Sequence, residues 1–101
     1  MKLFAIIGDE EARPKVRKLF MSHQVYLFSN MAIRGCSCDA FREPVSWWPS
    51  DKDLSTYSSL CFAILDDAKA EAIMAELERE PIATDPAFPS RAFVMNVEKM
   101  L

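Results

Sequence analysis

Glycine, cysteine and histidine are all scarce in this chain: 2, 3 and 1 among 101 residues. With only Gly8 and Gly35 there is no glycine-rich loop to cradle a phosphate through backbone N–H groups, and no Gly-x-Ser-x-Gly turn to present a nucleophile. A lone histidine, His23, leaves no evident nucleophile–base pair, so the expectation is a protein that is not an enzyme. Cys36, Cys38 and Cys61 cannot close a disulfide framework, and free thiols suit a reducing cytoplasm. Basic charge is not in excess either, since the formal net charge is −3 and Lys and Arg are spread along the chain, which argues against nucleic acid. No apolar run approaches the roughly 18 residues of a membrane span. The opening "MKLFAIIGDEE" turns acidic before any cleavage-site pattern, so a cytoplasmic location is expected.

What is present is enough for one core. Half of the side chains are apolar, and residues 1–101 read as a single domain. "KLFAIIG" (Lys2 to Gly8) is a short apolar run stopped by glycine, and suits a buried strand. Glu10, Glu11 and Pro14 then mark a helix start, and Ala12, Val16, Leu19, Phe20 and His23 fall at helical spacing, which predicts a helix over 11–22. "QVYLFSNMAI" (Gln24 to Ile33) is aromatic and β-branched, with Val25, Leu27, Met31 and Ile33 on one parity, and predicts a second strand.

Between Arg34 and Tyr57 neither period is sustained; Pro44, Pro49, Trp47 and Trp48 lie in this stretch. A connection that long without structure of its own is usually functional or disordered. "SSLCFAIL" (Ser58 to Leu65) predicts a third strand, apolar enough from Leu60 to be buried on both faces. "DDAKAEAIMAELERE" carries acids at its start and Ala70, Ile73, Met74 and Leu77 at helical spacing, and Pro81 ends it. Asp66 and Asp67 suit a cap and first turn better than acid–base work. "RAFVMNV" (Arg91 to Val97) is the last strand. Strand, helix, strand, strand, helix, strand is the ferredoxin-like βαββαβ arrangement, α+β, with a four-stranded antiparallel sheet and both helices on one face.

Three segments together resemble the PII family of signalling proteins. "VRKLFMSHQVYLFSNMAIRG" (Val16 to Gly35) is similar to that family's helix and strand ending in a Val-Lys-Gly turn, here Ile33, Arg34 and Gly35. "LCFAILDDAKAEAIMAEL" resembles its third strand and second helix, and "RAFVMNVE" its Lys-Ile-Phe-Val-x-x-Val-Glu strand. The long segment at 34–57 stands where the family inserts its T-loop. The resemblance implies a homotrimer with sheets facing inward. It also implies an adenine nucleotide (AMP, ADP or ATP) or another small effector in the clefts between subunits, and a regulated transporter or enzyme met through residues 34–57. Carried over by position, Gly35, Cys36 and Ser37 form the loop root against the ligand, Ile64 lines the cleft, and Arg91 meets phosphates. Two departures stand beside it. "ATDPAFPS" replaces a glycine-rich phosphate loop, and the family's further basic strand has no counterpart before Leu101, which favours a nucleotide with fewer phosphates, or an unrelated small ligand or anion.

Two other readings of the same residues compete. Cys36 and Cys38, with His23 as a further candidate, would be thiolate and imidazole ligands in a metal-handling protein similar to the CutA cation-tolerance family, although a single intervening residue is not the spacing of structural zinc sites, and no metal ligand is assigned. Trp47 and Trp48 would be anchors in an interaction module without an effector.

Overall fold

The computed structural model describes residues 1–35, 56–82 and 90–101. Its elements are β1 (Lys2–Asp9), a 3-10 turn (Glu10–Ala12), α1 (Arg13–Ser22), β2 (Ser29–Gly35), β3 (Thr56–Leu65), α2 (Asp67–Arg79) and β4 (Arg91–Asn96). The strands form one antiparallel sheet in the order β2-β3-β1-β4. The expected α+β ferredoxin-like order of elements is therefore met.

Strand pleating decides where the core lies, because alternate residues point to opposite faces. Phe4 and Ile6 of β1 pair with Ala63 and Cys61 of β3, and these join Val16, Leu19 and Phe20 of α1 and Ala70 and Ile73 of α2 in one buried cluster. Both helices thus cover the same face. Phe20 holds the centre: its ring meets Phe4 edge-on at 6.1 Å and lies tilted against Phe28 at 5.1 Å. Such pairs add about 1 kcal/mol beyond the area they bury.

Local chemistry sets the ends of the helices. Asp9 Oδ1 accepts from Glu11 N, with Glu10 and Glu11 supplying negative charge to the first turn. Asp66 Oδ1 accepts from Lys69 N at 2.7 Å, the expected cap of α2. Asp67 instead accepts from the Met1 ammonium at 2.9 Å, and that hydrogen bond, followed by the ammonium's charge, holds its carboxyl below the ordinary value.

Two expectations are corrected. The second strand begins at Ser29 rather than Gln24. Gln24 adopts φ 60°, a left-handed conformation uncommon for a residue with a side chain, and its carbonyl accepts from Lys69 Nζ at 3.2 Å. That bend turns Val25 into the core and leaves Leu27 89% exposed, so the parity seen in the sequence does not continue through it. The third strand begins at Thr56, and it is not buried on both faces: Ile64 is 42% exposed in the single chain, because both helices lie on the other side.

Ile73 is fully buried and Asp66 is an exposed cap, so they report different forces. In urea unfolding, Ile73→Ala is expected to lose about 2–5 kcal/mol through a cavity. Asp66→Ala is expected to lose about 1 kcal/mol through an unsatisfied helix N-terminus.

Candidate functional site

Strand register determines which candidate residues can meet. Gly35 pairs with Thr56, Asp9 with Ser58, and Arg91 with Ile7. Gly35, Thr56 and Asp9 therefore lie toward one end of the sheet, whereas Arg91, level with Ile7, Leu60 and Met31, lies near its middle, about 13 Å along the strands from the row of Gly35. Gly35 and Arg91 also stand on opposite edges: β2 and β4 are the outer strands of the order β2-β3-β1-β4, roughly 14 Å apart at three strand spacings. A small ligand cannot touch the Gly35 backbone and the exposed Arg91 guanidinium of the same chain with equal ease.

Ile64 is elsewhere. It pairs with Leu3 at the far end of β3, about 26 Å along the strand from Thr56. Its side chain belongs to the sheet face away from the helices. Cys36 and Ser37 lie outside the described residues, as do Cys38, Trp47 and Trp48.

The start of β4 rests on Gly8. A Cβ added there would run into Ser90 Oγ and come within 3.2 Å of Ser90 Cβ, so the absent side chain allows the approach to β4 to pass closely over β1. Ser90 N also donates to the Ile82 carbonyl at 3.2 Å, which fixes the residue immediately before Arg91.

The face turned away from the helices is apolar across three strands. Leu3, Ala5, Ile7, Leu60, Phe62 and Phe93 line a shallow depression of about 710 Å³ there. Met95 continues it on β4, Ile64 on β3, and Met31, opposite Leu60, extends it to β2. Met31, Ile64 and Met95 are 47, 42 and 52% exposed. A contiguous apolar face of this kind on a small domain marks an interaction surface.

His23 is not near the loop root. It caps the C-terminal end of α1, at the end of the sheet where β2 starts, and Gly35 closes the other end of β2, about 20 Å away. Its Nε2 is buried without a hydrogen bond and lies 3.5 Å from Glu76 Oε2. Cys61 is buried beside Ser59, with 3.7 Å between Sγ and Oγ. Among the described residues, no group of three or more His, Cys, Asp and Glu side chains is placed to hold a metal ion.

Sequence reasoning passed over α1's outer side. Four of the chain's 12 basic residues, Arg13, Lys15, Arg17 and Lys18, fall within this helix, which has no acid. The local count was the available signal, hidden by the acidic total.

No family model matches the chain, and no curated protein sequence matches it. Among solved structures, the chain is similar to a protein from Thermus thermophilus that is provisionally described as a PII-like signaling protein. The superposition covers 95% of this chain and 85% of the other, with a TM-score of 0.65 and 18% identity. At that identity the two share a fold, and the likeness inferred from sequence segments is matched by likeness in three dimensions.

Gly8→Ala is expected to turn the Ser90 hydroxyl to another rotamer and shift the start of β4 by a few tenths of an ångström, at a cost of about 1 kcal/mol. Amide chemical shifts should change most at Ser90, Arg91 and Ala92, while those of α1 stay in place.

Proposed function

We propose that this chain is a divergent PII-like regulator that is not catalytic. Three copies assemble through their open sheet faces, a small effector, an adenine nucleotide, sits in the clefts between copies, and residues 34–57 carry the signal to a regulated transporter or enzyme. The observation that supports this best is the open apolar sheet face lined by Leu3, Leu60, Phe62 and Phe93, with Gly35 and Arg91 on opposite edges of the same sheet. Neighbouring copies packed side by side would bring the β2 edge of one to the β4 edge of the next, and make one cleft from both residues.

Each part has a physical reason. Sequestering Leu3, Leu60, Phe62 and Phe93 between copies would remove apolar area from water at about 25 cal/mol per Å². At Gly35 a ligand could approach the backbone closely, and the Arg91 guanidinium can hold phosphate oxygens in pairs. Ile64, on the apolar face, fits the contact between copies better than a wall of that cleft. Signalling then needs an effector that binds one arrangement of residues 34–57 better than another, because ligands shift populations only by differential affinity.

Light scattering and isothermal titration against AMP, ADP and ATP test the reading. A trimer is expected, converted to monomer by Phe62→Lys, which places a charge in the apolar contact. Saturable nucleotide binding is expected, weakened roughly tenfold or more by Arg91→Ala as a charged hydrogen bond is lost. A monomeric wild-type chain would overturn the assembly. No heat with any nucleotide, together with zinc or copper uptake that needs Cys36 and Cys38, would replace the reading with metal handling.

A further inference from the structure

A second ligand surface lies on the helix side of the sheet. α1 and the outer edge of β2 enclose a groove of about 730 Å³. Its walls include Arg13, Arg17 and Met21 from α1, and Tyr26, Phe28 and Asn30 leading into and along β2. Its size is within the usual range for small-molecule sites.

The chemistry of the walls is divided. Arg13 and Arg17 stand one turn apart on the same side of α1, about 6 Å along the axis, and neither guanidinium has an ion-pair or hydrogen-bond partner among the described residues. The Asn30 amide is likewise unpaired there, as is the Tyr26 hydroxyl. Tyr26 is 70% exposed, whereas Phe28 is fixed from behind by Phe20, so the groove has one free ring and one rigid ring. Glu10, three residues before Arg13 in the chain, also lines the groove, and its charge favours an anion held nearer Arg17 than Arg13.

We propose that this groove binds a small anion carrying a flat aromatic group: Arg13 and Arg17 hold the anionic group, Asn30 bonds a polar edge of the ring, and the ring lies against Tyr26 and Phe28. Two guanidiniums suit a phosphate or carboxylate through paired hydrogen bonds, and the exposed aromatic ring gives a stacking surface. All of these side chains belong to one chain, so the site needs no neighbouring copy and does not rest on the cleft reading above.

Titration calorimetry with phenyl phosphate, AMP and inorganic phosphate tests it, on the wild-type chain, an Arg13→Ala/Arg17→Ala variant, a Phe28→Leu variant and Arg91→Ala. The two arginines are exposed, and circular dichroism verifies that the double variant stays folded. Phenyl phosphate and AMP are expected to bind more tightly than inorganic phosphate. The double arginine variant should weaken both roughly tenfold to hundredfold, and Arg91→Ala should leave phenyl phosphate binding unchanged. Amide shifts on phenyl phosphate addition should centre on Arg17, Tyr26 and Asn30. The proposal is overturned if the double variant binds as the wild type does, if Phe28→Leu and the shifts show no involvement of the ring wall, or if none of the three probes binds. AMP binding that depends on Arg91 alone would overturn the groove and leave the cleft reading standing.

Discussion

The structure depends on one-sided coverage of a four-stranded sheet. Two helices supply Val16, Leu19, Phe20, Ala70 and Ile73, and a sheet face supplies Phe4, Ile6, Cys61, Ala63 and Leu65, which closes a single buried cluster. Because strands alternate their side chains, filling that face leaves the odd-numbered residues of β1 with nothing from the helices above them. Leu3, Ile7, Phe62 and Phe93 are apolar nonetheless. A chain of this composition has built one core for itself and the face of a second for something else. That contrast, more than any motif, makes assembly the natural reading of the molecule.

Register then turns a fold into a constraint on ligands. The strand order puts Gly35 and Arg91 on outer edges, and the pairings set Arg91 level with Met31, about 13 Å along the strands from Gly35. In the proposed cleft, backbone approach at Gly35 and phosphate charge at Arg91 would be separated by the width of the sheet within one chain, and a neighbouring copy would have to bring them together. Gly8 contributes at the start of β4, since the close pass of Ser90 over β1 fixes where β4, and so Arg91, begins.

Much of this was legible in the sequence, for identifiable reasons. Helical spacing located α1 and α2 because an amphipathic helix shows its period in every turn, and Asp66 announced its cap by chemistry alone. The strands were recognised as apolar runs, but burial was misjudged on β3, since a run reads the same whether its second face is covered by the chain itself or left open. The early start assigned to the second strand failed at Gln24. A left-handed residue with a side chain leaves no composition signal, and the tertiary contact from Lys69 that accompanies it is 45 residues away. Candidate site residues were legible as types, not as neighbours: register spaces Gly35, Arg91 and Ile64 apart within one chain, and the Arg13 and Arg17 pair emerged when β2 supplied the opposite wall.

The two proposed sites differ in a way that bears on regulation. A ligand held by Gly35 of one copy and Arg91 of the next binds the assembly better than the isolated chain, so its binding energy also stabilises assembly, and apparent affinity must vary with protein concentration. A ligand held between α1 and β2 uses residues of one chain, and carries no such linkage unless it moves β2. Yet β2 ends at Gly35, so the groove and the loop root share one strand of 7 residues, joined by a continuous hydrogen-bonded ladder to β3. Occupancy that shifted β2 against α1 would be felt at Gly35 without any contact there. The physical path for coupling is therefore a single edge strand, with two sets of neighbours that need not be satisfied by the same position.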